Sequence, residues 1–224
     1  MTTIILPIYN RPDHTRQTIE SLYSNTLANF QLHIGDDCSD EPTKNLLLDL
    51  RKKYHFSLTR SLENKGPGAS RNLAISLVKK KTKYLYFSDN DVYFKTNWLN
   101  VLINIFTQAD CALLGASCHP YLQDNETIKV AGYDVGIKDA VSGYSQLVEW
   151  STFDKFGPFD TQEGLDKKTG RSDDWAFCQR IKLSGLRVGS VRPELVIPTG
   201  KTDSYGDVAV GPETFRNEEG VYVA

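Results

Sequence analysis

Four apolar runs of strand length, at residues 3–8, 31–35, 56–62 and 84–87, alternate with stretches of helical spacing, and each run ends on a polar cluster. The intervening stretches place Ile19, Leu22 and Tyr23, then Leu46, Leu47 and Leu50, then Leu73, Ile75, Leu77 and Val78 at helical intervals. Asp13 is the expected N-cap of the first of these helices. Strand–helix alternation of this kind predicts an α/β domain: a mostly parallel central sheet flanked by helices on both faces. In such sheets ligands bind beyond the carboxyl ends of the strands. Tyr9-Asn10, Asp36-Asp37 and Asp89-Asn90-Asp91 all fall there.

The last cluster has the sharpest chemistry. Tyr84-Leu85-Tyr86-Phe87 has the composition of a buried strand and stops at two carboxylates one residue apart. In an extended chain, residues i and i+2 point to the same side. Two carboxylates about 4 Å apart repel by about 4 kcal/mol at an effective dielectric near 20. A hard divalent cation with oxygen ligands removes that cost. An ordinary strand-to-loop exit is the alternative, since Asp and Asn both favour turns.

The 224 residues fit one domain able to bury a sizeable core. A formal net charge of -2 gives no global cationic field to recruit nucleic acid or acidic membranes. No apolar run reaches the roughly 20 residues of a membrane-spanning helix, and the N-terminus lacks the basic start and cleavage site of a signal peptide. Cys38, Cys111, Cys118 and Cys178 match no zinc or redox spacing and are expected to be reduced thiols. A cytoplasmic protein is expected, with a peripheral position at a membrane left open.

Beyond residue 97 the pattern is less regular. A helix carrying Trp98, Leu99, Leu102, Ile103 and Phe106 precedes a strand at 111–116. Residues 117–172 are rich in glycine and aromatics, with 161–171 reading as a polar loop that can close over a ligand. A helix is predicted at 173–184 and strands at 186–191 and 195–197. A single domain is therefore expected, with a regular part at about 1–95, a less regular part at about 96–200, and a tail at about 201–224. Lys79, Lys80, Lys81 and Lys83 read as a solvated helix end, and the four histidines show no ligand spacing.

Taken in order, Leu6-Pro7-Ile8-Tyr9-Asn10-Arg11, Asp36 to Asp40, the Asn64, Gly66 and Asn72 set, and Ser88-Asp89-Asn90-Asp91 resemble the motifs of family 2 glycosyltransferases with the GT-A fold. The segment 153–160 is similar to that family's "lGgFDE" element, and Asp173-Asp174-Trp175 through Arg180 to its "ED-x-D-L-x-x-R" helix. The likeness spans roughly residues 2–192.

The resemblance implies an inverting transfer of a sugar from a nucleotide diphospho-sugar, with UDP favoured, to an acceptor hydroxyl. It makes Tyr9 a base-stacking residue, with Pro7, Asn10 and Arg11 shaping the pocket. Asp37, or less favourably Asp36, would accept a hydrogen bond from the base. Asn64, Gly66 and Arg71 would complete the donor site, Arg71 by charge-assisted bonds to the diphosphate or base. Asp91 would bind Mn²⁺ or Mg²⁺, Asp89 would contact ribose or the metal's water, and Asn90 would lie in the same site. Asp174 would be the general base, with Asp173 shaping its surroundings. The acceptor class stays open: glycan, lipid-linked glycan, protein, small molecule or nucleic acid.

Two departures stand out. The family often adds a metal-binding histidine after the base helix, where this chain has Asp203. Cys38 stands where glycine or asparagine is usual. Two rival readings are a Mg²⁺ phosphotransferase of the haloacid-dehalogenase kind acting through Asp89 and Asp91, and a non-catalytic sugar-nucleotide or glycan-binding module. Tyr93 and the late position of the D-x-D disfavour the first, and Asp174 the second.

Overall fold

A computed structural model describes residues 1–117, 123–161 and 173–200. Strands β1 (Thr2–Ile8), β2 (Phe30–Asp36), β3 (Phe56–Arg60) and β4 (Tyr84–Ser88) run parallel in the order β3-β2-β1-β4. All seven residues of β1 are buried, as a strand covered on both faces requires. Alternate side chains serve opposite faces. Ile4, Leu6, Tyr84 and Tyr86 join the core under helices α1 (Pro12–Asn25), α2 (Glu41–Lys53) and α4 (Trp98–Phe106). Ile5, Leu85 and Phe87 join the core under α3 (Pro67–Ser76), α5 (Trp150–Phe156) and α6 (Asp173–Leu183).

The chain steps from β1 to β2 and β3 on one side, then returns to β4 on the other. The carboxyl ends of β1 and β4 therefore flank the point where the winding reverses, the usual place for a ligand crevice. The β1–β4 ladder joins Thr2–Ile5 to Tyr84–Phe87, whereas β1–β2 pairing continues to Ile8 and Asp36. Pro7, which has no N–H to give, lies beyond the end of the ladder to β4.

Past β4 the sheet becomes mixed. Strand β9 (Ser145–Glu149) runs antiparallel to β4 and to β6 (Leu113–Gly115). Strand β10 (Val188–Arg192) is parallel to β6, and β8 (Tyr133–Ile137) and β7 (Glu126–Val130) complete nine strands by antiparallel pairing. Strands β5 (Val92–Phe94) and β11 (Val196–Pro198) form a separate antiparallel pair. The parallel half matches the sequence expectation. Strands β7 to β9 and helix α5 lie in the segment that composition left irregular, because long-range pairing rather than local pattern defines them.

Two helix ends differ from expectation. The N-cap of α1 is Arg11, with Asp13 inside the first turn; Pro12 sets the helical φ one residue before Asp13. Helix α3 stops at Ser76 instead of running through Val78, and Leu77 is left exposed. Helix α2 begins as its sequence suggests, with Asp40 accepting from the Thr43 amide at 3.0 Å. Cys38, Cys111 and Cys178 are free thiols. Cys118, His119, Asp203, the 161–171 loop beyond Thr161 and the 201–224 tail lie outside the described residues.

Candidate active site

At the exit of β1 the backbone turns left-handed twice, at Asn10 (φ 54°) and Arg11 (φ 58°). Non-glycine residues hold that conformation only where their surroundings fix it. Here the Asn10 amide donates to Ser39 Oγ at 2.9 Å, and Asn10 Oδ1 accepts from the Asp40 amide at 2.8 Å. Asn90 completes the clamp, its Nδ2 donating to the Asn10 carbonyl at 3.1 Å and to Thr15 Oγ1 at 2.8 Å. The Asn90 side chain thus ties the β4 exit to the β1 exit. Tyr9, half-buried, stands at the same edge.

The β2 exit separates its two aspartates. Asp36 is buried, accepting from the Ser39 amide and pairing with Arg60. Asp37 reaches the loop before α3: Oδ1 accepts from the Lys65 amide at 3.0 Å and Oδ2 from the Gly66 amide at 2.7 Å. Burial raises the Asp37 pKa and the two amides oppose the rise. One lone pair on each oxygen remains for a ligand N–H. Gly66 has φ 84°, a conformation glycine takes without strain, and Asn64 Oδ1 accepts from its amide at 3.0 Å.

At the β4 exit each carboxylate meets an arginine. Arg71, 2% exposed, donates from Nη2 to Asp89 Oδ1 and from Nη1 to Asp173 Oδ2, both at 2.6 Å. Arg11 Nη1 stands 2.6 Å from Asp91 Oδ2. Burial pushes Asp89 up to about 6 against the pull of Arg71, and Asp91 adds to the rise. The amides of Thr199 and Gly200 donate to the Asp91 carbonyl at 2.7 and 3.3 Å. A Cβ on Gly200 would come within 2.1 Å of Asp91 Oδ2 and 3.0 Å of Arg11 Nη1, so a larger residue there would push the Asp91 carboxylate aside.

Helix α6 opens on Asp173 and Asp174. Asp173 is buried against Arg71 and against Gly68, whose added Cβ would lie 3.0 Å from Asp173 Oδ2. Asp174 Oδ2 accepts from the Gly143 amide at 2.6 Å, and Oδ1 from the Trp175 amide at 2.8 Å. Burial, then the neighbouring Asp173 charge, raises the Asp174 pKa, while Arg71 and the two amides pull it down. Trp175 is partly buried beside it, and Trp150 is a core residue. Arg180, lower on the same helix, donates to the carbonyls of Phe156 (2.7 Å) and Pro158 (2.6 Å) and pairs with Asp160. Asn72 grips the same segment, with Nδ2 to the Phe159 carbonyl at 2.8 Å and Oδ1 from the Phe159 amide at 3.0 Å.

The structure therefore brings Asp89, Asp91, Arg71, Asp173 and Asp174 to one rim, with Asp37 and Gly66 at the adjoining strand end. Sequence reasoning missed Gly143 and Gly200, because glycines in an irregular stretch give no sign of what packs against them. Arg11 and Arg71, read as ligand-binding residues, are each joined to aspartates.

The acidic pair suits a hard cation in donor chemistry. Asp89 and Asp91 present carboxylate oxygens at the end of one strand, and the Asp91 charge adds to the cost of ionising Asp89. One oxygen of each is engaged by an arginine, which leaves Asp89 Oδ2 and Asp91 Oδ1 for a cation to share with ligand oxygens and water.

The family model described as Glycosyl transferase family 2 matches residues 3–158, well over half of the chain. The chain belongs to that family. As a family 2 member it is 30% identical over 114 residues to the minor teichoic acid biosynthesis protein GgaA of Bacillus subtilis, across 49% of this chain and 26% of that protein. It is 32% identical over 95 residues to a poly(ribitol-phosphate) beta-glucosyltransferase of Bacillus spizizenii, across 41% of this chain and 15% of the relative. These relatives are thus matched over far less than two thirds of their own length.

Among solved structures, the chain aligns with S. aureus TarS 1-349 in complex with UDP-GlcNAc at TM-score 0.69 and 18% identity, over 96% of this chain and 63% of that one. It also aligns with the Pyrobaculum calidifontis mannosyltransferase PcManGT in complex with GDP-Man and Mn²⁺, at TM-score 0.64 and 12% identity, over 86% and 54%. At such identities the likeness establishes the GT-A fold that the motifs implied. No helix among the described residues is long and apolar enough to cross a membrane.

Proposed function

We propose that this family 2 chain transfers a sugar from a UDP-sugar to an acceptor hydroxyl with inversion at the anomeric carbon, Asp174 being the general base. The observation that carries the reading is the side-chain chain Asp89–Arg71–Asp173, which runs from the β4 exit to the start of α6 and ends beside Asp174. It ties the acidic strand end, suited to the donor, to the carboxylate suited to the acceptor.

In this reading the donor lies over the β1 and β4 exits, with Tyr9 against the base and Asp37 accepting from a ring N–H. Arg71 holds Asp89 and Asp173 in fixed orientation. The Gly143 and Trp175 amides aim the Asp174 carboxylate, whose raised pKa makes it a better proton acceptor than an ordinary aspartate. The acceptor oxygen bonds to the anomeric carbon as its proton passes to Asp174. The bond to the diphosphate oxygen breaks, and the nucleoside diphosphate leaves from the opposite face, which inverts the centre. A Mn²⁺ or Mg²⁺ held by Asp89 and Asp91 would neutralise charge on that leaving group.

Two relatives bear names from teichoic acid and poly(ribitol-phosphate) glycosylation, so polyol-phosphate hydroxyls are the first acceptors to test. The test is incubation with UDP-GlcNAc or UDP-glucose and such an acceptor, with and without Mn²⁺. UDP release coupled to a product of inverted anomeric configuration by NMR is expected. A product that retains the donor's configuration, or donor that binds without transfer, overturns the proposal.

A further inference from the structure

At the other end of the sheet, below the amino ends of β2 and β3, a cleft of about 510 Å³ lies between the C-terminal ends of α2 and α3. Arg51 and Tyr54 line it from α2 and its cap, and Lys79 and Lys80 from the segment after α3. The wall is fixed by Gln31, whose Nε2 donates to the Lys80 carbonyl at 3.1 Å and to Thr3 Oγ1 at 2.7 Å.

Cations at helix ends are favoured by the dipole, and this alone does not make a site. Two further features do. The flanking lysines each have a carboxylate partner: Lys52 with Asp49, Lys53 with Glu20, Lys81 with Asp154 and Lys83 with Glu149. Among the described residues, Arg51, Lys79 and Lys80 have none. The second feature is His33, which lines the same cleft from β2. It is 8% exposed, yet its Nδ1 is buried with no hydrogen-bond partner. A buried ring nitrogen left without a partner is unfavourable, and a ligand acceptor can offset that.

The geometry points to a phosphate-binding site here, remote from the donor crevice, in which Arg51, Lys79 and Lys80 hold the anion and His33 Nδ1–H donates to one of its oxygens. The phosphate can come from a free phosphorylated small molecule or from a phospholipid headgroup. Three cations without a carboxylate partner, lining one cleft with a buried, unpartnered ring nitrogen, match a group with several acceptor oxygens and more than one negative charge.

The test follows the His33 ring resonances of the full chain by NMR during titration with inorganic phosphate. A second titration follows the same resonances with vesicles of phosphatidylcholine alone or mixed with phosphatidylglycerol. Saturable movement of the His33 signals with free phosphate supports the site and its soluble source. Movement only with phosphatidylglycerol vesicles supports it with a lipid source.

Arg51→Gln/Lys80→Gln is expected to weaken the binding by about tenfold or more, whereas Lys52→Gln/Lys81→Gln, which removes equal charge beside the cleft, leaves it unchanged. These are exposed positions, and unaltered unfolding midpoints will show that both variants fold. His33 signals that stay still in both titrations overturn the inference. Equal weakening by the two double variants does so too, because general electrostatics would then account for the binding.

Discussion

Asp89 at the end of β4 and Asp173 at the start of α6 share one guanidinium: Arg71 donates to both at 2.6 Å from a position almost sealed from solvent. Two segments far apart in sequence are thereby locked across the candidate active site. The arrangement is electrostatic scaffolding in a low-dielectric place, so removing its centre leaves two like charges facing each other.

Arg71→Leu is therefore expected to destabilise the fold by about 3–5 kcal/mol, the usual result of stranding a buried charge. The urea midpoint at neutral pH measures it. Part of the loss should return on mild acidification, as Asp89, already raised to about 6, takes up a proton.

Asp174→Asn tests the base directly. Turnover should fall by about 10² to 10⁴ while donor binding persists. Thermal shift with UDP or a UDP-sugar reads the binding, and single-turnover transfer reads the chemistry. Unchanged transfer would remove Asp174 from the mechanism.

The pH profile gives a third test. An ordinary aspartate ionises near 3.9, and Asp174 lies above its ordinary value through burial and the Asp173 charge. Its folded form keeps the proton to higher pH than the unfolded chain does. This group's contribution to stability is thus present at low pH and lost as pH rises through its raised value. Catalysis runs the other way, needing the proton gone. The acid limb of kcat should stand above that of an ordinary aspartate, and Asp173→Asn should move it down by removing the neighbouring charge.

Gly143→Ala probes an approach that only the structure reveals. The new methyl would lie 2.9 Å from Arg71 Nη2 and 3.1 Å from Asp174 Cβ. Displacing Asp174 by even a fraction of an ångström should lower kcat by about tenfold or more, with an unfolding midpoint close to wild type. Far-UV circular dichroism with steady-state kinetics separates the two effects.

Much of the donor side was legible because it is written locally. The 84–87 run with Asp89 and Asp91 and the helix that begins at Asp173-Asp174 follow from periodicity and composition, which act over a few residues. That β1 to β4 are parallel followed from strand–helix alternation for the same reason, whereas their order did not.

What the amino-acid order determined by itself was which side chains reach strand ends and helix starts. Tertiary structure alone decided their partners: Arg71 between Asp89 and Asp173, Arg11 on Asp91, Gly143 beneath Asp174, and the antiparallel half of the sheet. A charge–charge contact across 102 positions leaves no periodic trace in the chain, because its geometry exists only once the backbone between the two residues has folded.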